Sequence, residues 1–328
     1  MKYPFVSNRL FCGIVISAAV FLGPRLCAQT LEDGVALFKA DKLVEAKAVF
    51  EQVIKKDDNN AEAHFHLGQL YFMRSFAGRD VDESVDQLEK AVELNPNKAE
   101  YQLMYGGALG EKVQTAGIFK KAILAPKVKH ALLRAVELDP KLFEARVGLA
   151  QFYLMAPSFA GGDDDEGWKQ IDEAVKLDEF RGRFVKARML ENKNKLSEAD
   201  KEYKILTGLK PLEWRIWKNY GYFNLRQKKH DEAISCFHRY VNLNPDTADS
   251  HRSLAEGLIE KGSIDTAMIC LTHALTIDKN YAPAVISLGD AYKAKGSKDN
   301  AKKEYERAIA MTQNETLRTM AEKKLKEL

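Results

Sequence analysis

Seven histidines and four cysteines are the side chains of this 328-residue sequence best suited to hold a metal or attack a substrate. Their spacing does not argue for either chemistry. His64 and His66 stand two apart, so on a helix they point to different faces and form no i,i+4 ligand pair. Cys270 and His273 can share a face, and Cys236, with His238 nearby, lies 34 residues before Cys270. Thiols at equivalent places on stacked helices sit roughly 8–10 Å apart, whereas a disulfide spans at most about 7 Å between Cα atoms. Two free, mostly buried thiols are therefore expected, with a disulfide or a metal site as the alternatives. The run Asp163-Asp164-Asp165-Glu166 has charge enough for calcium, but it lacks the Gly and distal Glu of an EF-hand loop and reads first as a helix cap. A Gly-x-Ser-x-Gly elbow, a P-loop and a Rossmann glycine series are all missing. No enzyme activity, cofactor or metal is expected, and the lone carboxylates read as solvated faces.

The elements that must carry these residues announce themselves by a period. A small residue, a large apolar one four later and a small or apolar one three beyond recur along the chain. Examples are Ala46/Phe50/Val53, Ser84/Leu88/Ala91, Val128/Leu132/Ala135, Gly167/Ile171/Ala174, Ala199/Tyr203/Leu206 and Ala267/Leu271/Ala274. Twelve residues before most of these small residues stands another Gly or Ala (Gly34, Ala187, Gly221, Ala255, Gly289), followed three later by a large apolar side chain such as Leu37, Leu190 or Leu258. Offsets of three and four place each series on one helical stripe. Small residues let two antiparallel helices approach closely, and the aromatics fill the remaining space. Pro96, Pro140, Pro211 and Pro245 close units, because proline disfavours helix in the residue before it.

A spacing of about 34 with these positions resembles the tetratricopeptide repeat, TPR. Eight units start near Ala28, Ala61, Ala99, Phe143, Phe180, Trp214, Ala248 and Ala282, over residues 29–314. Residues 315–328 read as a capping helix with Leu317, Met320, Ala321 and Leu325 on one face. The resemblance implies an all-α, right-handed superhelical solenoid, since one hairpin cannot bury its apolar face alone.

Residues 1–28 read as an address. Lys2 and Arg9 precede an uncharged apolar run from Leu10 to Gly23, Pro24 breaks it, and Ala28 offers a cleavage position. That is the layout of a secretory signal peptide, so the mature protein is expected to be periplasmic or secreted. An uncleaved anchor, and a lipoprotein acylated at Cys27, are the alternatives. Composition is that of an ordinary globular chain, at 45% hydrophobic and 30% charged. The net charge of +3 comes from Lys2, Arg9 and Arg25. Without them the chain is neutral and has no global field to draw in nucleic acid or anionic lipid. No later stretch has the roughly 20 apolar residues of a membrane span.

Units two, three and four are longer than the rest. Ser75-Phe76-Ala77-Gly78-Arg79-Asp80 and Ser158-Phe159-Ala160-Gly161-Gly162-Asp163 share a text that reads as a longer turn, with Gly residues at positive φ and an acidic cap. In unit three, Ala116 to Lys129 mixes Ile118, Phe119, Ile123 and Leu124 with four lysines and Pro126. It reads as an extended second helix, kinked at the proline, or as a lid over the groove. The Ala-Pro-x-x-x-Gly-Gly turn and the long third unit look like exported bacterial TPR proteins, among them the periplasmic TPR component of TRAP-type solute transporters.

TPR proteins usually hold partners on the concave face, built from the first helix of each unit. By position this implies Phe65, Gln69 and Phe72 in unit two, Leu103, Met104 and Gly107 in unit three, and Val147, Gln151 and Met155 in unit four. Phe184 and Arg188 follow in unit five, Arg215, Lys218, Tyr222 and Arg226 in unit six, and Arg252 and Glu256 in unit seven. Some of the apolar positions can equally be interhelical core. The early part is apolar, and the basic, aromatic middle suits an acidic protein or peptide segment. Tyr222 stands where a chaperone-type carboxylate clamp needs Asn. The implied function is a non-enzymatic exported scaffold binding a peptide or protein segment. The alternative is a binding protein for a small amphipathic solute, associated with a transporter and using an apolar pocket in units two to four.

Overall fold

The computed structural model describes residues 30–328, so the expected leader, its cleavage position and Ala28 lie outside the described residues. Among the described residues the structure is all helical, without strands. The described helices divide into two compact units, the first ending at Ala131 and the second running Leu132–Leu328, with the division falling inside the sixth helix.

The first unit holds α1 (Leu31–Lys39), α2 (Leu43–Lys56), α3 (Ala61–Phe72), α4 (Val81–Leu94), α5 (Ala99–Thr115) and the first part of α6 (Ile118–Leu138). α1 begins at Leu31 because Thr30 and Asp33 form a capping box. Asp33 N–H donates to Thr30 Oγ1 at 3.3 Å and Thr30 N–H donates to Asp33 Oδ2 at 2.9 Å.

The second unit holds α7 (Phe143–Met155), a 3₁₀ turn (Ser158–Ala160), α8 (Asp164–Leu177), α9 (Glu179–Asn192) and α10 (Leu196–Leu209). It continues with α11 (Trp214–Arg226), α12 (His230–Leu243), α13 (Ala248–Lys261), α14 (Ile264–Ile277), α15 (Ala282–Ala294), α16 (Lys298–Met311) and α17 (Glu315–Lys326).

Within a unit, odd and even helices pair as antiparallel hairpins through the small-residue positions. A Cβ on Gly221 would come within 2.5 Å of the Phe237 ring, and one on Gly289 would enter the Tyr305 ring. Both aromatics are fully buried, so each glycine lets its partner helix close onto it. First helices also touch one another: α1 with α3, α3 with α5, α7 with α9, α11 with α13 and α13 with α15.

The turn between the paired helices has its own period. Asn194, Lys228, Gly262 and Gly296 follow one another at intervals of 34 and all take positive φ, at 57°, 58°, 87° and 79°. Such a backbone costs glycine nothing and strains lysine.

The twin loops share a geometry. Asp80 N–H donates to the Tyr71 carbonyl and Asp163 N–H to the Tyr153 carbonyl, each at 3.0 Å. Asp80 Oδ1 caps α4 by accepting from Asp82 and Glu83, and Asp163 Oδ1 caps α8 by accepting from Asp165 and Glu166. The expected positive φ holds at Gly161, at 90°. Gly162 is required for another reason, since a Cβ there would overlap the Ala156 carbonyl oxygen. Phe76 is buried beside Tyr71, whereas Phe159 is 81% exposed. The long insertion of the third repeat is the beginning of α6, which runs unbroken through Pro126, and forms no separate lid.

Candidate functional site

The densest polar constellation sits in the second unit, where α11, α13 and α15 lie side by side. Asp249, in the first turn of α13, accepts four bonds. They come from Lys218 Nζ on α11 (2.6 Å), Tyr240 OH on α12 (2.8 Å), Tyr281 OH before α15 (2.8 Å) and Arg252 Nη2 one turn on (3.0 Å). Arg252 also pairs with Glu256 and donates to the Tyr222 hydroxyl at 3.0 Å. Tyr222 OH donates to Glu256 Oε2 at 2.7 Å and lies 2.9 Å from Ser253 Oγ. Ser287 Oγ, on α15, donates to Glu256 Oε1 at 3.1 Å.

Burial pushes the Asp249 carboxyl upward, but the bonds from Lys218 and Tyr240 and the charge of Arg252 outweigh it and hold its pKa well below the usual carboxylate range. Burial likewise raises the Tyr222 phenol, with Glu256 adding to the rise, and Tyr281 is pushed up to about 12. The cluster is thus a charge-balanced clamp of Lys218 and Arg252 against Asp249 and Glu256. Asp249 stays ionised and the phenols stay protonated at neutral pH, so these groups pin neighbouring first helices together rather than exchange protons.

The structure places the remaining expected groove residues unevenly. In the second unit Gln151 and Arg188 are exposed, Met155 is 63% exposed, and Val147 and Phe184 are half-buried, Phe184 against the core around Tyr203. Arg215 lies over the Trp214 ring at 4.7 Å and bonds Glu213, while Arg226 pairs with Glu191 at 2.5 Å. The basic middle is therefore largely neutralised from within. Arg188 is exposed, and Arg215 is exposed beside its acidic neighbour.

In the first unit Phe65 is core rather than groove, 5% exposed and stacked on Tyr101 with ring centroids 4.4 Å apart. Gln69 accepts from His66 Nδ1 at 3.0 Å, and Phe72, Leu103 and Met104 are half-buried. Gly107 is exposed. A cleft of roughly 380 Å³ lies at the starts of α3 and α5, lined by Asn60, Glu62, His66, Lys98 and Glu100 as well as Phe65 and Tyr101. It opens to solvent, its lining is mainly polar, and it lies apart from the insertions. That differs from the apolar pocket expected of a solute-binding protein.

His64 and His66 do diverge. His64 is buried against Gln87, and His66 stacks on Phe50 with centroids 5.5 Å apart. Cys236 and Cys270 are free thiols, the first buried and the second half-buried, and burial pushes Cys236 up to about 12. Asp164, within the acidic run, pairs with Lys193 at 2.6 Å. Among the described residues no group of three or more His, Cys, Asp or Glu side chains is placed to hold a metal ion.

Sequence reasoning missed Asp249, Tyr240, Tyr281, Ser253 and Ser287. A signal for part of the clamp was present, since Tyr222 and Glu256 stand 34 apart, as do Ser253 and Ser287. Those are like positions on successive first helices, which touch.

Tetratricopeptide-repeat family models match residues 31–75, 184–248 and 282–315. Tetratricopeptide repeat protein 37 of Xenopus laevis is 22% identical over 295 residues, covering 87% of this chain and 18% of that protein. The BBSome complex member BBS4 homolog of Drosophila melanogaster is 21% identical over 294 residues, covering 88% of this chain and 59% of that protein. The chain thus spans only part of these relatives. Among solved structures, yeast Tom70 superposes with a TM-score of 0.65 at 14% identity, covering 88% of this chain and 58% of that one. The chain carries tetratricopeptide repeats, and its fold is that of an α-solenoid of such repeats.

Proposed function

We propose that this tetratricopeptide-repeat chain is an exported, non-enzymatic scaffold that binds a polypeptide segment along the first-helix face of its second unit. Repeats of this type are protein-interaction modules, and the BBS4 homolog it resembles is by name a member of a complex. One observation carries the reading. α7 touches α9, and α11, α13 and α15 touch in turn, with Arg226 on α11 reaching Glu191 on α9. Gln151, Met155 and Arg188 on α7 and α9 are left exposed, while the charges of the clamp on α11 and α13 are paired with one another. The clamp fixes the spacing of α11, α13 and α15. The exposed side chains supply one apolar and two polar contacts to a bound segment.

Acidic character in the partner rests on Arg188, because Lys218, Arg226 and Arg252 have carboxylate partners and Arg215 already bonds Glu213. Export rests on the leader-like residues 1–28. The test is photo-crosslinking in the native cell from a benzophenone amino acid at Gln151 or Arg188, with Ser235 on a second helix as the control. Adducts from the first two positions and none from Ser235 are expected, in the fraction outside the cytoplasm. Adducts from Ser235 alone, or no adduct from Gln151 and Arg188, would overturn the reading.

A further inference from the structure

The first turns of α6 are built unlike any other second helix. α6 has 21 residues, whereas α2, α4, α8, α10, α12, α14 and α16 each have 14. The extra length lies before the packed face, whose buried residues begin at Leu124 and continue with Ala125, Val128 and Ala131. On the opposite side stand Phe119, Ala122, Ile123 and Pro126, at i, i+3, i+4 and i+7, all exposed. Phe119 is 86% exposed, Ile123 67%, and Ile118 beside them 66%. α6 therefore has two apolar faces, and the second meets water.

Charge is segregated on the same segment. Between Glu111 and Glu137 there is no Asp or Glu, while Lys112, Lys120, Lys121, Lys127, Lys129 and Arg134 all fall there. Lys112 pairs with Asp82 at 2.6 Å and Lys127 with Glu89 at 2.9 Å. Lys120 and Lys121 form no ion pair among the described residues, although Lys120 adds its field to that of Lys112 at Asp82. Bulky apolar side chains on an exposed ridge, bordered by lysines and free of acids, complement a surface that is anionic outside and apolar just beneath.

From this we infer that the N-terminal turns of α6 dock peripherally on an anionic lipid surface. Phe119 and Ile123 enter the boundary between headgroups and acyl chains, and Lys120 and Lys121 engage the phosphates. A bilayer suits a ridge because it deforms around it, whereas a protein partner would have to offer a matching groove. The attachment is interfacial, since no described helix is long and apolar enough to cross a membrane.

Phe119→Trp in the full chain, with the unsubstituted chain as background for Trp168, Trp214 and Trp217, tests this directly. It is mixed with vesicles of phosphatidylcholine alone or with phosphatidylglycerol, each with and without brominated acyl chains. The introduced indole is expected to shift to the blue and be quenched by the brominated lipid, at half-saturating lipid roughly ten-fold lower for the anionic vesicles. Lys120→Glu with Lys121→Glu on that background should raise the requirement by at least about ten-fold. An indole that stays unquenched while the protein sediments with vesicles overturns the inference, because attachment then lies elsewhere, in the apolar leader or another surface. Equal quenching with and without phosphatidylglycerol, or no effect of the charge reversals, overturns it too.

Discussion

Asp249 shows how much a single carboxylate can hold in such a fold. Four donors meet at its two oxygens, and removing it leaves Lys218 without its carboxylate partner and Arg252 with Glu256 alone. Asp249→Ala should cost about 2–3 kcal/mol in urea unfolding, below the 3–5 of a fully buried pair because the site is partly hydrated. Arg215→Ala, at an exposed pair, should fall within about 0.5 kcal/mol. The pH dependence has a definite sign. The folded carboxyl titrates below the unfolded one, so its contribution is complete above the ordinary aspartate range near pH 4 and is lost as pH falls toward the folded value. Thermal melts of wild type and Asp249→Asn should therefore converge as the buffer is taken from pH 6 toward pH 3, and melts that diverge would contradict the geometry. Lys228 offers the opposite case. It stands in a left-handed turn that Gly262 and Gly296 fill without strain, so Lys228→Gly should stabilise by roughly 0.5–1 kcal/mol, read as a higher urea midpoint at unchanged slope. The recurrence of that turn was open to inspection in the sequence, but a lysine conceals a positive φ that a glycine advertises.

At the scale of the element, the helix starts of the later repeats were legible because a small residue, its large partner and a closing proline each mark a different point on a hairpin. What joins one hairpin to the next was not. Lys112–Asp82, Lys193–Asp164, Lys261–Asp231 and Lys295–Asp265 are one contact repeated four times, an aspartate in the first turn of a second helix met by a lysine at the end of the next first helix. Reading such a contact requires knowing which helix ends are neighbours, and charge patterning alone does not say so. The acids lie where the helix dipole also favours them. A double-mutant cycle on Asp164 and Lys193 should give a coupling of at most about 1 kcal/mol in low salt that disappears near 1 M salt. A coupling that survives high salt would mean that the pair contributes through packing instead. Phe65 and Phe159 mark another limit. An aromatic at a first-helix position reads equally as groove or core, and only the stack on Tyr101 decides for Phe65. Phe76 and Phe159 occupy twin sequences, yet one is buried and the other is not.

On the scale of the whole molecule, each hairpin is held by the ones beside it, so stability should spread by neighbours rather than appear everywhere at once. Tyr305, fully buried in the last hairpin, donates to Asp290, which also receives Lys324 from α17. Tyr305→Ala should raise amide exchange most in α15, α16 and α17, less in α13, and least in α7 and α8, as measured by mass spectrometry on the intact chain. Uniform loss of protection across residues 132–328 would show a single cooperative block instead. The lysine–aspartate joints carry one more implication. Asp231 and Asp265, like Lys261 and Lys295, are separated by a single repeat, so the bond that leaves one hairpin is the bond that enters the next. A gene that gained or dropped a cassette of 34 codons here would present the same couplings at the seam, and the protein could change its length in whole steps without any new joint having to evolve.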